Sequence, residues 1–180
     1  MSTQAKVWTT VLAFVLLAFL LVAFVDPERP ANLAAAPTAP ATAWEYTSEA
    51  DALTGKSTRF ACVDSINRLD FGFPYNGGST GMLCFRDSPR FGKSAYLQIK
   101  KGQFLCGIEG CALRVRADNG PITMVRAIKA SDGSSDYVFF RSYGTMLAVA
   151  RAAKSLKIEA EYFKEGWQVL QFDPSGLKWQ

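Results

Sequence analysis

Hydrophobic and polar positions divide the chain into three stretches. From Val7 to Val25 there are nineteen consecutive residues with no charge, no Gly and no Pro. As a helix this run measures about 28 Å, close to the roughly 30 Å hydrocarbon core of a bilayer. From Asp26 to Ala43 the apolar pattern stops, and seven of the eighteen residues are Ala and four are Pro (Pro27, Pro30, Pro37, Pro40). Repeated Pro blocks a continuous helix and favours extended polyproline II. From Trp44 onward, short aromatic and β-branched runs alternate with turn signals about every ten residues, the pattern of an antiparallel sheet.

Within this third stretch the pattern predicts strands at Thr58–Val63, Leu69–Phe73, Met82–Arg86, Ala95–Lys100, Cys111–Ala117, Ile122–Lys129, Tyr137–Arg141, Ile158–Phe163 and Val169–Phe172. Asn76-Gly77-Gly78-Ser79, Asp118-Asn119-Gly120 and Lys164-Glu165-Gly166 are the hairpin signals, because Asn, Asp and Gly accept positive φ. One helix interrupts the strands. Thr145 to Leu156 places Met146, Val149, Ala150, Ala153 and Leu156 on one face, with Ser142 as N-cap and Arg151, Lys154 and Lys157 on the other side. The fold class expected is therefore mainly β: an antiparallel β-sandwich or barrel with one helix, about 145–156, preceded by an N-terminal transmembrane helix. The domain expectation is a signal anchor at 1–25, an Ala/Pro linker at 26–43 and a β domain at 44–180.

The flanks of the apolar run set its expected orientation. Lys6 precedes it, while Asp26 and Glu28 follow, partly offset by Arg29. This weak bias leaves the N-terminus inside and exports the rest. The run is long for a cleaved signal peptide, so an uncleaved anchor is preferred. Cleavage at Ala34-Ala35-Ala36 or Ala39-Pro40-Ala41 is the alternative. The expected location is thus a single-pass inner-membrane protein with its C-terminal domain in the periplasm, or a secreted or periplasmic form after cleavage.

Composition narrows the chemistry. The 180 residues include no His, which removes Ser–His and Cys–His nucleophile pairs and every His metal ligand. A net charge of +4 is too small for a nucleic-acid-coating protein, so no nucleic-acid partner is expected. Lys6 and Arg29 balance Asp26 and Glu28 in the first 43 residues, so the excess positive charge belongs to the β domain. Four cysteines in an exported domain imply disulfides. Cys106 and Cys111 bracket the flexible Gly107-Ile108-Glu109-Gly110 tip, and the preferred pairing is Cys106–Cys111 with Cys62–Cys84. A hairpin centred on Gly77-Gly78 would set Cys84 near Phe71, so Cys62–Cys84 is expected to join non-sequential strands. C-x-x-C spacing is absent, which argues against a zinc or redox site.

Several motifs resemble catalytic ones and fail on context. Ala50-x4-Gly55-Lys56-Ser57 fits a permissive phosphate loop, but a strand-like run follows where the loop needs a helix. Ser175-x-x-Lys178 needs a helix that Pro174 and Gly176 disfavour. Asp132-Gly133-Ser134-Ser135-Asp136 begins like a calcium loop but lacks the closing Glu. Glu159 and Glu161 share a strand face, near Glu165, and are read as solvated carboxylates rather than an acid/base pair. No catalytic residue, cofactor or metal is expected. The candidate binding surface combines Arg86, Arg90, Phe91 and Lys93 with the aromatic tip at Phe73 and Tyr75. Arg114 and Arg116 share a face, which Arg126 joins only if the Asp118-Asn119-Gly120 turn carries a bulge residue.

Leu53-Thr54-Gly55-Lys56, Phe71-Gly72-Phe73-Pro74-Tyr75, Pro89-Arg90-Phe91-Gly92-Lys93 and Lys101-Gly102-Gln103-Phe104-Leu105-Cys106 with Cys111 carry a resemblance. Ala153-Lys154, Ile158-Glu159-Ala160 and Phe172-Asp173 with Gly176-Leu177-Lys178-Trp179 extend it. On these residues the stretch from Trp44 to Trp179 resembles an uncharacterised family of small exported proteins of Gram-negative bacteria and their phages, many of them lipoproteins. The resemblance implies an envelope location and assigns no activity or catalytic residue. This chain departs by having a membrane run without the lipid-attachment Cys. The expected function is a non-enzymatic envelope-associated binding or accessory module, its partner an envelope protein or glycan. The alternatives are an inhibitor or exclusion factor against an incoming wall hydrolase or phage component, and a carboxylate-dependent cell-wall hydrolase.

Overall fold

The computed structural model describes residues 43–180. The predicted anchor at 7–25 and all but the last residue of the linker lie outside the described residues. Among the described residues no helix is long and apolar enough to cross a membrane.

Among the described residues nine strands form one antiparallel sheet: β1 (Glu45–Ala50), β2 (Ser57–Asp64), β3 (Gly81–Ser88), β4 (Gly92–Ile99), β5 (Cys111–Ala117), β6 (Thr123–Lys129), β7 (Tyr137–Phe140), β8 (Leu156–Tyr162) and β9 (Gly166–Phe172). Their spatial order is β1-β2-β3-β4-β7-β6-β5-β8-β9. Alternation sets the inner face: Leu83 and Phe85, Leu97 and Ile99, Leu113 and Val115, Val138 and Phe140, and Ile158 and Ala160 are buried. One helix, α1 (Tyr143–Ala152), lies between β7 and β8 and buries Met146, Leu147 and Ala150. These side chains and Trp44, Tyr162, Phe172 and Trp179 make one continuous core.

Eight of the predicted strands are present with shifts of a few residues at their ends. The strand at Leu69–Phe73 is not. Leu69 and Phe71 are buried, but only one bridge, Leu69 to Ser79, forms there. Pro74 has no N–H to donate to a ladder, and Gly77 and Gly78 take positive φ, which folds the segment into an irregular connection. β2 and β3 are consequently neighbours, and Cys62 and Cys84 face each other across them with Cα atoms 4.2 Å apart. The pairing stands; the expectation that it joins non-sequential strands is corrected. Cys106–Cys111 closes the tip between β4 and β5.

β1 escapes the sequence pattern because all six of its residues are exposed, so no apolar period marks it. The helix is shorter than predicted. Ser142 caps it as expected, its Oγ accepting from Thr145 N at 3.4 Å. Its end comes at Ala152 because Asp118 Oδ1 accepts from the N–H groups of Lys154 (3.0 Å) and Ser155 (2.9 Å), turning the chain into β8. Lys157 therefore belongs to a strand and not to a basic helix face. Gly102 illustrates a close approach: its φ is +125°, and an added Cβ would lie 2.6 Å from the Phe71 ring.

The two ends of the sheet are linked through connections. Ile66 N donates to Gln171 O at 2.8 Å, Asn67 Nδ2 donates to Val169 O at 2.9 Å and Gln171 N donates to Asn67 Oδ1 at 2.8 Å. The final segment crosses to the other end, where Pro174 O accepts from Trp44 Nε1 at 2.9 Å and Lys178 N donates to Tyr46 Oη at 2.7 Å.

Candidate functional site

The pairing of β3, β4, β7 and β6 decides what the outer face of the sheet displays. Cys84, Tyr96, Phe139 and Ile128 are register partners in one row, with Arg86 and Ser94 in the next. Period-two alternation puts all of them on the side opposite the core. Arg86 Nε donates to Ser94 Oγ at 3.0 Å. Its guanidinium carbon lies 5.3 Å from the Phe91 ring centre and 5.2 Å from that of Phe139. Arg90 approaches Phe91 at 5.0 Å. Each such cation–ring pair at an exposed site is worth about 0.5–1 kcal/mol, and together they hold the β3–β4 hairpin tip as an ordered cationic and aromatic surface. Ser88 Oγ adds to this order by accepting from the N–H groups of Arg90 and Phe91, each at 3.4 Å. Phe91 remains 61% exposed, so much of the side chain is open to a partner.

Tyr96 extends the surface inward. Its ring lies 5.3 Å from Phe139 and 5.7 Å from Tyr137. Burial, with the nearby Tyr137 phenol, pushes Tyr96 up to about 12 from its ordinary value. Gln98 Nε2 donates to Tyr137 Oη at 2.7 Å.

The structure divides the six candidate surface residues among three places. Arg86, Arg90 and Phe91 come together. Lys93 partners Asp87 in the register, one residue out of phase with Arg86, and its Nζ donates to Gln180 O at 3.3 Å. Phe73 and Tyr75 sit on the β2–β3 connection, at the opposite end of β3, an eight-residue strand of roughly 25 Å. Phe73 is exposed, and Tyr75 Oη accepts from Gln103 Nε2 at 3.2 Å. Phe139, Tyr96 and Tyr137 were not singled out from the sequence. The only available signal was the shared parity of Tyr137 and Phe139; their meeting with Arg86 needs the pairing of β4 with β7, which are not consecutive.

The hairpin also borders a hollow of about 310 Å³ lined by Asp51, Thr54, Lys56, Ser88 and Arg90. Gly55-Lys56-Ser57 lies here as a turn: Gly55 N donates to Asp51 O at 2.8 Å, and β2 begins at Ser57. The Asp51 carboxylate is held below the usual range, first by the Thr54 N–H, then by the Thr54 hydroxyl.

On the far half of the outer face, Ala112 faces Arg126 and Arg114 faces Met124. The β5–β6 connection therefore contains an odd number of residues, with Asp118 at φ 49°, and Arg126 shares the face of Arg114 and Arg116. Glu159 and Glu161 share this face too. Glu159 is ion-paired with Arg114, which keeps that guanidinium more firmly protonated, and Arg114 also lies 5.8 Å from the Trp167 ring. Glu165 accepts from Gly72 N at 3.0 Å. Among the described residues no group of three or more Cys, Asp or Glu side chains is placed to hold a metal ion.

No family model matches the chain, and no curated protein matches it. Among solved structures, the chain is similar to the invasion-associated protein B of Bartonella henselae, with 16% identity and a TM-score of 0.45 over 74% of this chain and 84% of that one.

Proposed function

We propose that this chain is a membrane-tethered, non-enzymatic binding module of the cell envelope that docks a partner on the β3–β4 hairpin. The observation that carries the reading is the Arg86 guanidinium lying over the rings of both Phe91 and Phe139, with Phe91 open to solvent. Ordered aromatic and Arg side chains at an exposed tip lose little entropy when a partner covers them, the usual composition of a binding hot spot. The partner is an envelope protein or glycan, with acidic or polar groups facing Arg86 and Arg90. The tether is residues 7–25 in the inner membrane, with a cleaved signal as its alternative. The hydrogen bonds from β9 to Ile66 and Asn67 support a further reading, that the sheet closes as a barrel. An inhibitor or exclusion factor is a special case of the same docking. The hydrolase reading is disfavoured by Glu159, which already pairs with Arg114.

The test is photocrosslinking of the full-length protein in its native envelope. A crosslinker at Phe91 is expected to capture a discrete partner, and Arg86→Gln to reduce that capture roughly tenfold, as for loss of a central Arg anchor. A crosslinker at Ala148, on the exposed side of α1, is the control. Equal capture at both positions would overturn the hairpin as the docking surface. Release of soluble fragments from purified cell wall, lost in Glu161→Gln, would overturn the non-enzymatic reading.

A further inference from the structure

We propose a second site, independent of the hairpin: a phosphate-binding hollow on the outer face of β5 and β8, shared by Arg116 and Lys157. The register sets these two residues directly opposite each other, and both are exposed on the outer face. Like charges at directly opposed strand positions repel. One row away, on the same two strands, Arg114 faces Glu159 and is ion-paired with it. The same pairing is missing for Arg116 and Lys157, since among the described residues neither makes an ion pair.

Arg116 is nonetheless held in place. Its Nε donates to Gly120 O at 3.0 Å, and its Nη2 lies 3.5 Å from Asn119 O. Carbonyl oxygens orient a guanidinium without cancelling its charge. The result is a pre-positioned cation beside a second cation, bordering a hollow of about 160 Å³ whose other walls are Ile122, Val169 and the mutually paired Arg114 and Glu159, so Arg116 and Lys157 carry its uncompensated charge.

The charge and shape select the ligand class. A phosphate group carries about −1.5 to −2 at pH 7, which matches two cations, whereas a carboxylate would leave one uncompensated. Arg offers a planar fork and Lys a point charge, both suited to phosphate oxygens. The apolar walls admit a carbon body attached to the phosphate. The same chemistry therefore arises from free inorganic phosphate or from a phosphate ester on an apolar carrier.

The test titrates the full-length protein with sodium phosphate by calorimetry, with chloride at equal ionic strength as reference. Phosphate is expected to bind, and Lys157→Gln and Arg116→Gln are each expected to weaken binding roughly tenfold or more, the loss of one hydrogen bond to a charged group. Lys157→Arg is expected to retain it. Without phosphate, the thermal midpoint of Lys157→Gln should equal or exceed that of the parent, since repulsion is relieved; this shows that the variant folds. Tighter binding of hexyl phosphate, lost in Ile122→Ser, assigns the ester as the source, and equal binding of the two assigns the free ion. Equal phosphate binding by the parent and Lys157→Gln, or no binding beyond the chloride reference, overturns the site.

Discussion

Tyr96 shows how one residue links the outer face to stability. Its phenol is packed against Tyr137 and Phe139, and burial raises it from 10 to about 12. Tyr137 and the fully buried Tyr162 are shifted in the same direction, chiefly by burial. Above pH 10 an unfolded chain sheds these protons while the folded chain keeps them. The stabilisation is thus complete below pH 10 and is lost as pH rises towards 12. Urea titrations should show the unfolding midpoint falling across this window, and Tyr96→Phe should make the fall shallower; an unchanged slope would refute the assignment. Legibility differed among such residues. Arg86, Arg90 and Phe91 are close in sequence and stand out together. Phe139 is separated from Arg86 by three further strands, β4, β5 and β6, and no local pattern marks their contact.

At the scale of elements, the two disulfides act on very different segments. Cys62–Cys84 spans 22 residues of separation and encloses the irregular connection that holds only one strand bridge. Cys106–Cys111 spans five. Loop-closure entropy predicts that Cys62→Ala with Cys84→Ala costs about 3 kcal/mol, against about 2 kcal/mol for Cys106→Ala with Cys111→Ala. Chemical denaturation of the two double variants measures both, and the reverse order would contradict the closure argument. The short tip was readable because its cysteines nearly touch in sequence. The residues of the longer bridge are legible but its strand relation is not, because Leu69–Phe73 has strand-like composition yet packs as a connection, which leaves β2 and β3 adjacent. Pro74 and the positive-φ glycines carry that difference.

At the scale of the whole molecule, the C-terminal segment ties distant elements together. Beyond Trp44 and Tyr46, it reaches α1, where Tyr143 Oη accepts from Trp179 Nε1 at 2.9 Å and Arg151 donates to Trp179 O. Trp179 is buried and Arg59 lies 5.6 Å from its ring. Removing residues 177–180 is therefore expected to cost at least about 3 kcal/mol, the low end for loss of a buried aromatic. Denaturant unfolding of the truncated protein, with its circular dichroism retained, is the measurement. A change under 1 kcal/mol on that roughly 3 kcal/mol scale would show the segment to be dispensable. Pro174 and Gly176 announced a break in regular structure, but nothing in the sequence announced where the segment docks.

What the sequence determined by itself was local. Alternation set which side of every strand but β1 is apolar, turn residues placed the β5–β6 and β8–β9 hairpins, Ser142 marked the start of the helix, and the missing His limited the chemistry. These depend on neighbours within a few positions, where backbone preference and side-chain parity act directly. The tertiary structure alone decided the strand order β4-β7-β6-β5-β8-β9, and with it every contact between non-consecutive strands. Arg86 met Phe139 through that order, and Arg116 met Lys157. Such meetings follow from which edges pair once the core closes, a choice made by burial of the whole inner face, and no short segment of the chain encodes it.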